Sequence, residues 1–335
     1  SEMCIRDRNL IEEVVEDFQP YFWIKASTPQ RIIDRALARY PGSSIDWYDR
    51  AKALRTDEEL VKVYSYRTTD IRDMVKEFGQ TWEGDLSLTD RYLIDSIEEM
   101  PEWKPRVWHF DLEWDPKKDF TTVMAVTDSY NERNVVFCWS EESAREQIES
   151  IENIEVDNTD EDGIRHHFTY ERHLYPSEES MYQAFFEYLE ECNPDIFVAH
   201  AIMWADLPHI VRRFPEFRRL SPLGRVLRPP QGNRGYDYTA QPICGRLCFD
   251  TAAPLRSGTG FERVWKDSGQ PQLKNLKLNT IAETLGYGGK FEMDVFTGWY
   301  NRFDDYVAYC MQDVLLLKKI DCLLYTSPSP RDGLL

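Results

Sequence analysis

Hydrophobic and polar positions change rhythm many times along the chain, and each change predicts an element. The stretch "VWHFDLEWDP" (107–116) reads as a strand over 107–114, because Val107, Trp108, Phe110, Leu112 and Trp114 are apolar and β-prone. Successive strand side chains point to opposite faces, so Asp111 and Glu113 lie side by side on one face and Leu112 on the other. Before it, "PYFWIKA" and "LVKVYSYR" predict strands, while "PQRIIDRALARY" and "DIRDMVKEF" predict helices, the second with Asp70 as N-cap. "LSLTDRYLIDSIEEM" continues as helix or turn, and "PEWKP" (101–105) punctuates the chain as a domain boundary. Beyond the strand, "TTVMAVTDSYNERNVVFCW" predicts a hairpin, and the acidic run from Glu141 to Asp162 a solvated helix and loop. "SEESMYQAFFEYLEEC" is an amphipathic helix capped by Ser177 or Ser180. "DIFVAH" and "GRLCFD" are short strands, a helix begins at Asp206, and "LNTIAETLG" and "DYVAYCMQDVLLLKKI" are helices. Hairpin strands followed by alternating strand and helix imply an α/β domain with a mixed sheet flanked by helices, preceded by a smaller α+β domain.

The two ends break this pattern. "SEMCIRDR" (1–8) and "CLLYTSPSPRD" (322–332) resemble translations, in opposite orientations, of one transposase adapter used to prepare sequencing libraries. Both tails, 1–8 and 322–335, are therefore set aside as processing scars are. What remains, Asn9 to Asp321, is expected to be a fragment of a longer gene, with one domain over 9–105 and a second over 106–321. That length suits two domains at roughly 150 residues each.

Composition changes the picture mainly by exclusion. No run approaches the roughly 18 apolar residues of a membrane span, so no membrane partner is expected. Among the seven cysteines there is no CxxC pair, and Cys244 with Cys248 has no second pair to complete a zinc site. A reduced, cytoplasmic setting is expected: the nucleoid, or a host's cytoplasm if the gene is viral. A net charge of −19 argues against indiscriminate coating of nucleic acid, but not against a site whose positive charge is carried by metal ions. The one basic stretch, Arg212 to Arg234, holds Arg212, Arg213, Arg218, Arg219, Arg225, Arg228 and Arg234 against Glu216 alone. It reads equally as a phosphate-backbone contact or as a surface loop balancing the acidic regions.

Taken alone, Asp111 and Glu113 read equally as a solvated strand edge or as half of a metal site, since two close anions repel unless a cation lies between them. Asp206 opens a helix directly after a buried strand and can serve as N-cap, as ligand, or as both. Tyr309 and Asp313 are four apart on a predicted helix and share a face. Their order along the chain is more telling than any one of them. "FDLE", then "NPDIFVAH…DLPHIVRR", "GRLCFD", "LKNLKLNTIAETLGYGGK" and "YVAYCMQDVLLLKKI" resemble the exonuclease motifs of family B DNA polymerases, in the tyrosine-bearing branch of the DEDD 3′→5′ exonucleases. The resemblance covers roughly 106–321, and more weakly the N-terminal domain of the same polymerases over 9–105, through "VKVYSYRTTDIRDMVKEFG" and "DRYLID".

That resemblance implies a ribonuclease H-like fold and a proofreading 3′→5′ exonuclease. Asp111, Glu113, Asp206 and Asp313 would hold two Mg²⁺ or Mn²⁺ ions, and Tyr309, helped by Glu113, would orient the attacking water. Leu112, Trp204, Arg212 and Arg213 become candidate substrate contacts. Expected partners are a single-stranded DNA 3′ end, primer-template DNA, the palm, fingers and thumb of the same polymerase, and a processivity factor. The chain departs from the family's second motif at Ala201 and Ala205, where Asn and an aromatic residue are usual. Trp204, one residue away, offers a face for base stacking, against the commoner fate of a buried core tryptophan. Two other readings share these residues: a stand-alone DEDD exonuclease on DNA or RNA, and an exonuclease-like DNA-binding platform with weakened hydrolysis.

Overall fold

A computed structural model describes residues 18–53, 56–96, 104–159, 163–230, 235–237, 240–256, 265–266, 269, 271–289, 293–294 and 296–326. The chain divides into two compact units, Ser1–Trp103 and Lys104–Leu335.

In the first unit an antiparallel sheet in the order β1-β3-β2 is built from β1 (Tyr21–Lys25), β2 (Ser44–Lys52) and β3 (Glu59–Tyr64). Phe22, Ile24, Val61 and Val63 alternate onto one face, where they bury Ile33 and Ala36 of α1 (Gln30–Arg39) and Met74 and Phe78 of α2 (Ile71–Phe78). A further helix, α3, covers Leu88–Ser96. Asp70 does occupy the N-cap position of α2, but a 3₁₀ turn over Thr68–Asp70 leads into it and its side chain makes no capping hydrogen bond. The strand β2 has no apolar alternation in sequence. Its register shifts between Asp46 and Arg50, so the period that announces a strand is broken inside it.

The second unit carries a seven-stranded mixed sheet in the order β10-β9-β4-β5-β6-β8-β7. Its strands are β4 (Val107–Trp114), β5 (Thr121–Asp128), β6 (Asn134–Trp139), β7 (Ser150–Thr159), β8 (Arg165–Tyr175), β9 (Ile196–Ala199) and β10 (Leu247–Asp250). The acidic run expected as helix and loop is instead a short helix, α4 (Glu141–Glu146), followed by β7. The acids of β7 are accommodated on a sheet edge by cationic partners on β8: Glu152 pairs with Arg172 and Asp157 with Arg165. Helices α5 (Glu178–Cys192, capped by Ser177) and α6 (Asp206–Arg213) cover the face of β4 that carries Trp108, Phe110 and Leu112. After α7 (Leu278–Thr284) and the short α8 (Gly298–Asn301), the long α9 (Phe303–Thr326) lies on the opposite face, where Val123, Ala125 and Val136 meet Val307, Met311 and Val314. It continues past Asp321 into the segment set aside at the sequence level. No helix among the described residues is long and apolar enough to cross a membrane.

Candidate metal centre

The strand β4 is anchored at its start. Arg106 donates from Nε to both oxygens of the fully buried Asp128 at 3.0 and 2.9 Å and from Nη1 to the Cys192 carbonyl, while its backbone N–H donates to Asp195. Asp195 therefore helps fix the register at which β4 enters the sheet. From there the strand's alternation sends Phe110 and Leu112 into the core under α5 and α6, and Asp111 and Glu113 to the face under α9. On α9, Asp313 is 2% exposed and Tyr309, one turn earlier, 7%. Carboxylate oxygens of Asp111, Glu113 and Asp313 close to within 4.8 Å of one another. The Cys310 thiol on the same helix lies 3.9 Å from Asp111 Oδ2.

Asp206 stands outside that three-membered group but beside the same strand. Parallel pairing of β4 with β9 spans only Val107–His109, so the edge of β4 beyond it is open on that side. Asp206 stands beside this opening, its carboxylate near the backbone N–H of Leu112, the residue between Asp111 and Glu113. It is the first residue of α6, and the N-cap is Ala205, not Asp206. Burial, and secondarily the charge of Asp250, push its pKa well above the usual carboxylate range. Its Oδ2 is buried without a hydrogen-bond partner.

Asp250, the last residue of β10, shapes this segment. Its Oδ1 accepts the N–H groups of Ala201 and Ala252 at 2.9 and 3.0 Å. Ala201 is thereby held at φ +65°, a left-handed conformation that asparagine tolerates far better than alanine. Between Ala201 and Asp206 the chain turns tightly, with Trp204 and Ala205 both donating to the Ala201 carbonyl. Trp204 is 47% exposed. Gly235 lies so close to it that a Cβ there would come within 2.4 Å of the Met203 carbonyl and 2.7 Å of Trp204 Cα.

Of the other candidate contacts, Leu112 has its side chain in the core, 2% exposed, because it alternates away from the acids. Arg213 is committed to Glu178, which also accepts the Thr121 N–H, so its guanidinium holds α6 to the start of β5 and α5. Arg212 is exposed at the end of α6. Buried beneath these residues, His209 stacks on Trp114 at 4.9 Å, and its Nε2 meets the Thr121 hydroxyl, which in turn meets Tyr182. Burial lowers the His209 pKa to about 4.

Converging carboxylates with a fourth whose buried oxygen lacks a partner form a donor set suited to hard divalent cations. A nearby divalent charge would also reverse the energetics of Asp206, favouring its ionised form. Comparison with known proteins agrees with this chemistry. A family described as "DNA polymerase family B, exonuclease domain" matches residues 62–257, which include Asp111, Glu113 and Asp206. A DNA polymerase from Pyrococcus glycovorans is 26% identical over 264 residues, covering 73% of this chain. The chain spans 31% of that relative's length.

Proposed function

The chain belongs to the exonuclease-domain family of the family B DNA polymerases, and from that premise we propose that its second unit is a 3′→5′ exonuclease acting on the 3′ end of DNA. The observation that carries the proposal is the convergence of Asp111 and Glu113 from β4 with Asp313 from α9. With Asp206 these acids would hold two divalent ions of the Mg²⁺ or Mn²⁺ type. Such ions supply charge stabilisation at the attacking and leaving oxygens of phosphodiester hydrolysis. The Tyr309 hydroxyl, one turn from Asp313, orients the attacking water, and Glu113 accepts a hydrogen bond from it. Water's oxygen bonds to phosphorus, the P–O3′ bond to the penultimate nucleotide breaks, and that 3′ oxygen takes up a proton. A 5′ deoxynucleotide leaves and the strand is shorter by one. The palm, fingers and thumb of a polymerase, and a processivity factor, are the proposed partners.

A 5′-labelled single strand tests the reading. In Mg²⁺ or Mn²⁺ it should shorten from its 3′ end, EDTA should stop the reaction, and Asp313→Ala or Asp111→Ala should slow it by about 10³-fold or more, since each removes charge stabilisation from the transition state. Tyr309→Phe should slow hydrolysis less and keep Mn²⁺ affinity. Asp111→Ala protein that degrades DNA at the parent's rate would refute the assignment.

A further inference from the structure

Strand β5 slips by one residue against β4 at the metal centre. Glu113 pairs with Val123 and Trp114 with Thr121, which leaves Thr122 as an extra residue between them, a β-bulge. Val123 packs under α9, whereas the Thr121 hydroxyl meets Tyr182 of α5 and His209 of α6 on the other face. Strict alternation from Val123 would send Thr122 to that other face as well. The bulge turns it towards α9 instead, where its hydroxyl meets the hydroxyl of Tyr306, in the helix's first turn, at 3.1 Å.

The chemistry of the threonine fixes the direction of these contacts. Thr122 Oγ1 donates to the backbone carbonyl of Glu113 at 2.8 Å. A hydroxyl has one proton and a carbonyl only accepts, so the second contact runs from the Tyr306 phenol to Thr122. Burial, and next the charge of Glu113, raise the Tyr306 pKa, which keeps the donated proton in place. Both side chains are buried, and the tyrosine ring has its own slot: a Cβ on Gly298 of α8 would lie 3.0 Å from Tyr306 Cδ2. Along α9, Tyr309 follows one turn after Tyr306 and Asp313 two turns after it, so all three share one side of the helix. Two hydroxyls thus join the backbone of one acid of the centre to the helix that carries another.

We propose that Thr122 and Tyr306 are positioning residues for the metal centre, and that their hydrogen-bonded chain holds Glu113 on β4 in register with Asp313 and Tyr309 on α9. The proposal rests on the exonuclease reading and extends it to how the two halves of the site are aligned. Apolar contacts between α9 and the sheet are non-directional and let a helix slide, whereas a hydrogen bond weakens steeply as its angle departs from linear. Carboxylates that must share cations need the narrower tolerance.

The test compares the parent protein with Thr122→Val, Thr122→Ser, Tyr306→Phe and the Thr122→Val/Tyr306→Phe double variant. Mn²⁺ binding is read by calorimetry without DNA, hydrolysis on a 5′-labelled single strand, and folding by urea denaturation in EDTA. Thr122→Val keeps the shape and loses the hydroxyl. It should weaken Mn²⁺ binding and lower kcat about tenfold each, the scale of a lost buried hydrogen bond, with KM for DNA within about twofold. Thr122→Ser should restore most of both. Tyr306→Phe should lose less, because Thr122 still donates to Glu113. The double variant should be no worse than Thr122→Val, since the phenol acts only through the threonine. A lower urea midpoint with parent-like Mn²⁺ affinity and kcat would reduce both hydroxyls to a structural role and overturn this inference alone. Variants that match the parent throughout, losses that add in the double variant, or losses that persist in Thr122→Ser would do the same. A parent that neither binds Mn²⁺ nor cleaves removes the exonuclease reading and this inference with it.

Discussion

Ala201 shows how a residue can be read correctly as unusual and still not be understood from sequence. Its departure from the family's asparagine is visible in the text of the chain. Only the structure gives the physical content, a backbone held at φ +65° by Asp250, where an asparagine would sit without strain. Asp250 and Asp195 carry no signal of their own, because the partners through which they act, the N–H groups of Ala201 and Arg106, are far away in sequence. Leu112 was legible in its orientation, since the alternation that aims Asp111 and Glu113 at one face aims Leu112 into the core. His209 supplies a test at this scale. Its folded pKa of about 4 lies below its ordinary 6.5, so the stability it brings is complete above pH 6.5 and is lost as pH falls towards 4. That loss amounts to up to about 3 kcal/mol. In EDTA, the urea midpoint of the parent should fall more steeply across that window than the midpoint of His209→Gln, whose amide keeps a hydrogen bond to Thr121. Parallel curves would show that His209 does not titrate as an isolated buried imidazole.

Elements with one strong apolar period were legible, and those without it were not. The strands β4, β5, β6 and β9 and the helices α5 and α9 are buried enough that their apolar positions spell out their geometry. By contrast β2, β7 and β8 keep long polar faces and take their stability from cross-strand partners such as Glu152–Arg172. An isolated reading of their residues resembles a charged helix or loop. The strand that carries the centre depends on one ion pair for its placement. Removing Arg106 leaves the fully buried Asp128 carboxylate bonded only by the Trp108 indole and the Tyr130 N–H. Arg106→Ala should therefore destabilise the second unit by about 3 kcal/mol or more, and the Arg106→Ala/Asp128→Ala double variant should recover part of it. Chemical denaturation measures both. A single variant as stable as the parent would mean that β4 is positioned by packing alone.

At the scale of the whole molecule, charge and coverage set the expected behaviour. With a net charge of −19, from 59 Asp and Glu against 40 Lys and Arg, the chain opposes a phosphate backbone, so DNA affinity should be weak and fall further with added salt. The slope should be about −0.7 for each phosphate neutralised on a single strand. Among the described residues one acidic group, Asp111 with Glu113 and Asp313, converges as a metal site does. With primer-template and all four nucleoside triphosphates, this chain should accordingly shorten the primer without extending it. Templated extension on a sequencing gel would show that a polymerising centre had been missed. The placement of α9 over β4 has a kinetic corollary. His109 meets Asp321 across 212 residues, and Thr122 meets Tyr306 across 184, so the centre cannot exist until nearly the whole second unit has been synthesised and its ends have found each other. Closing so long a loop is slow, and its last step presses like charges together. Nuclease activity should thus be the final property a nascent or refolding chain acquires, and a strand end is safe from it until then.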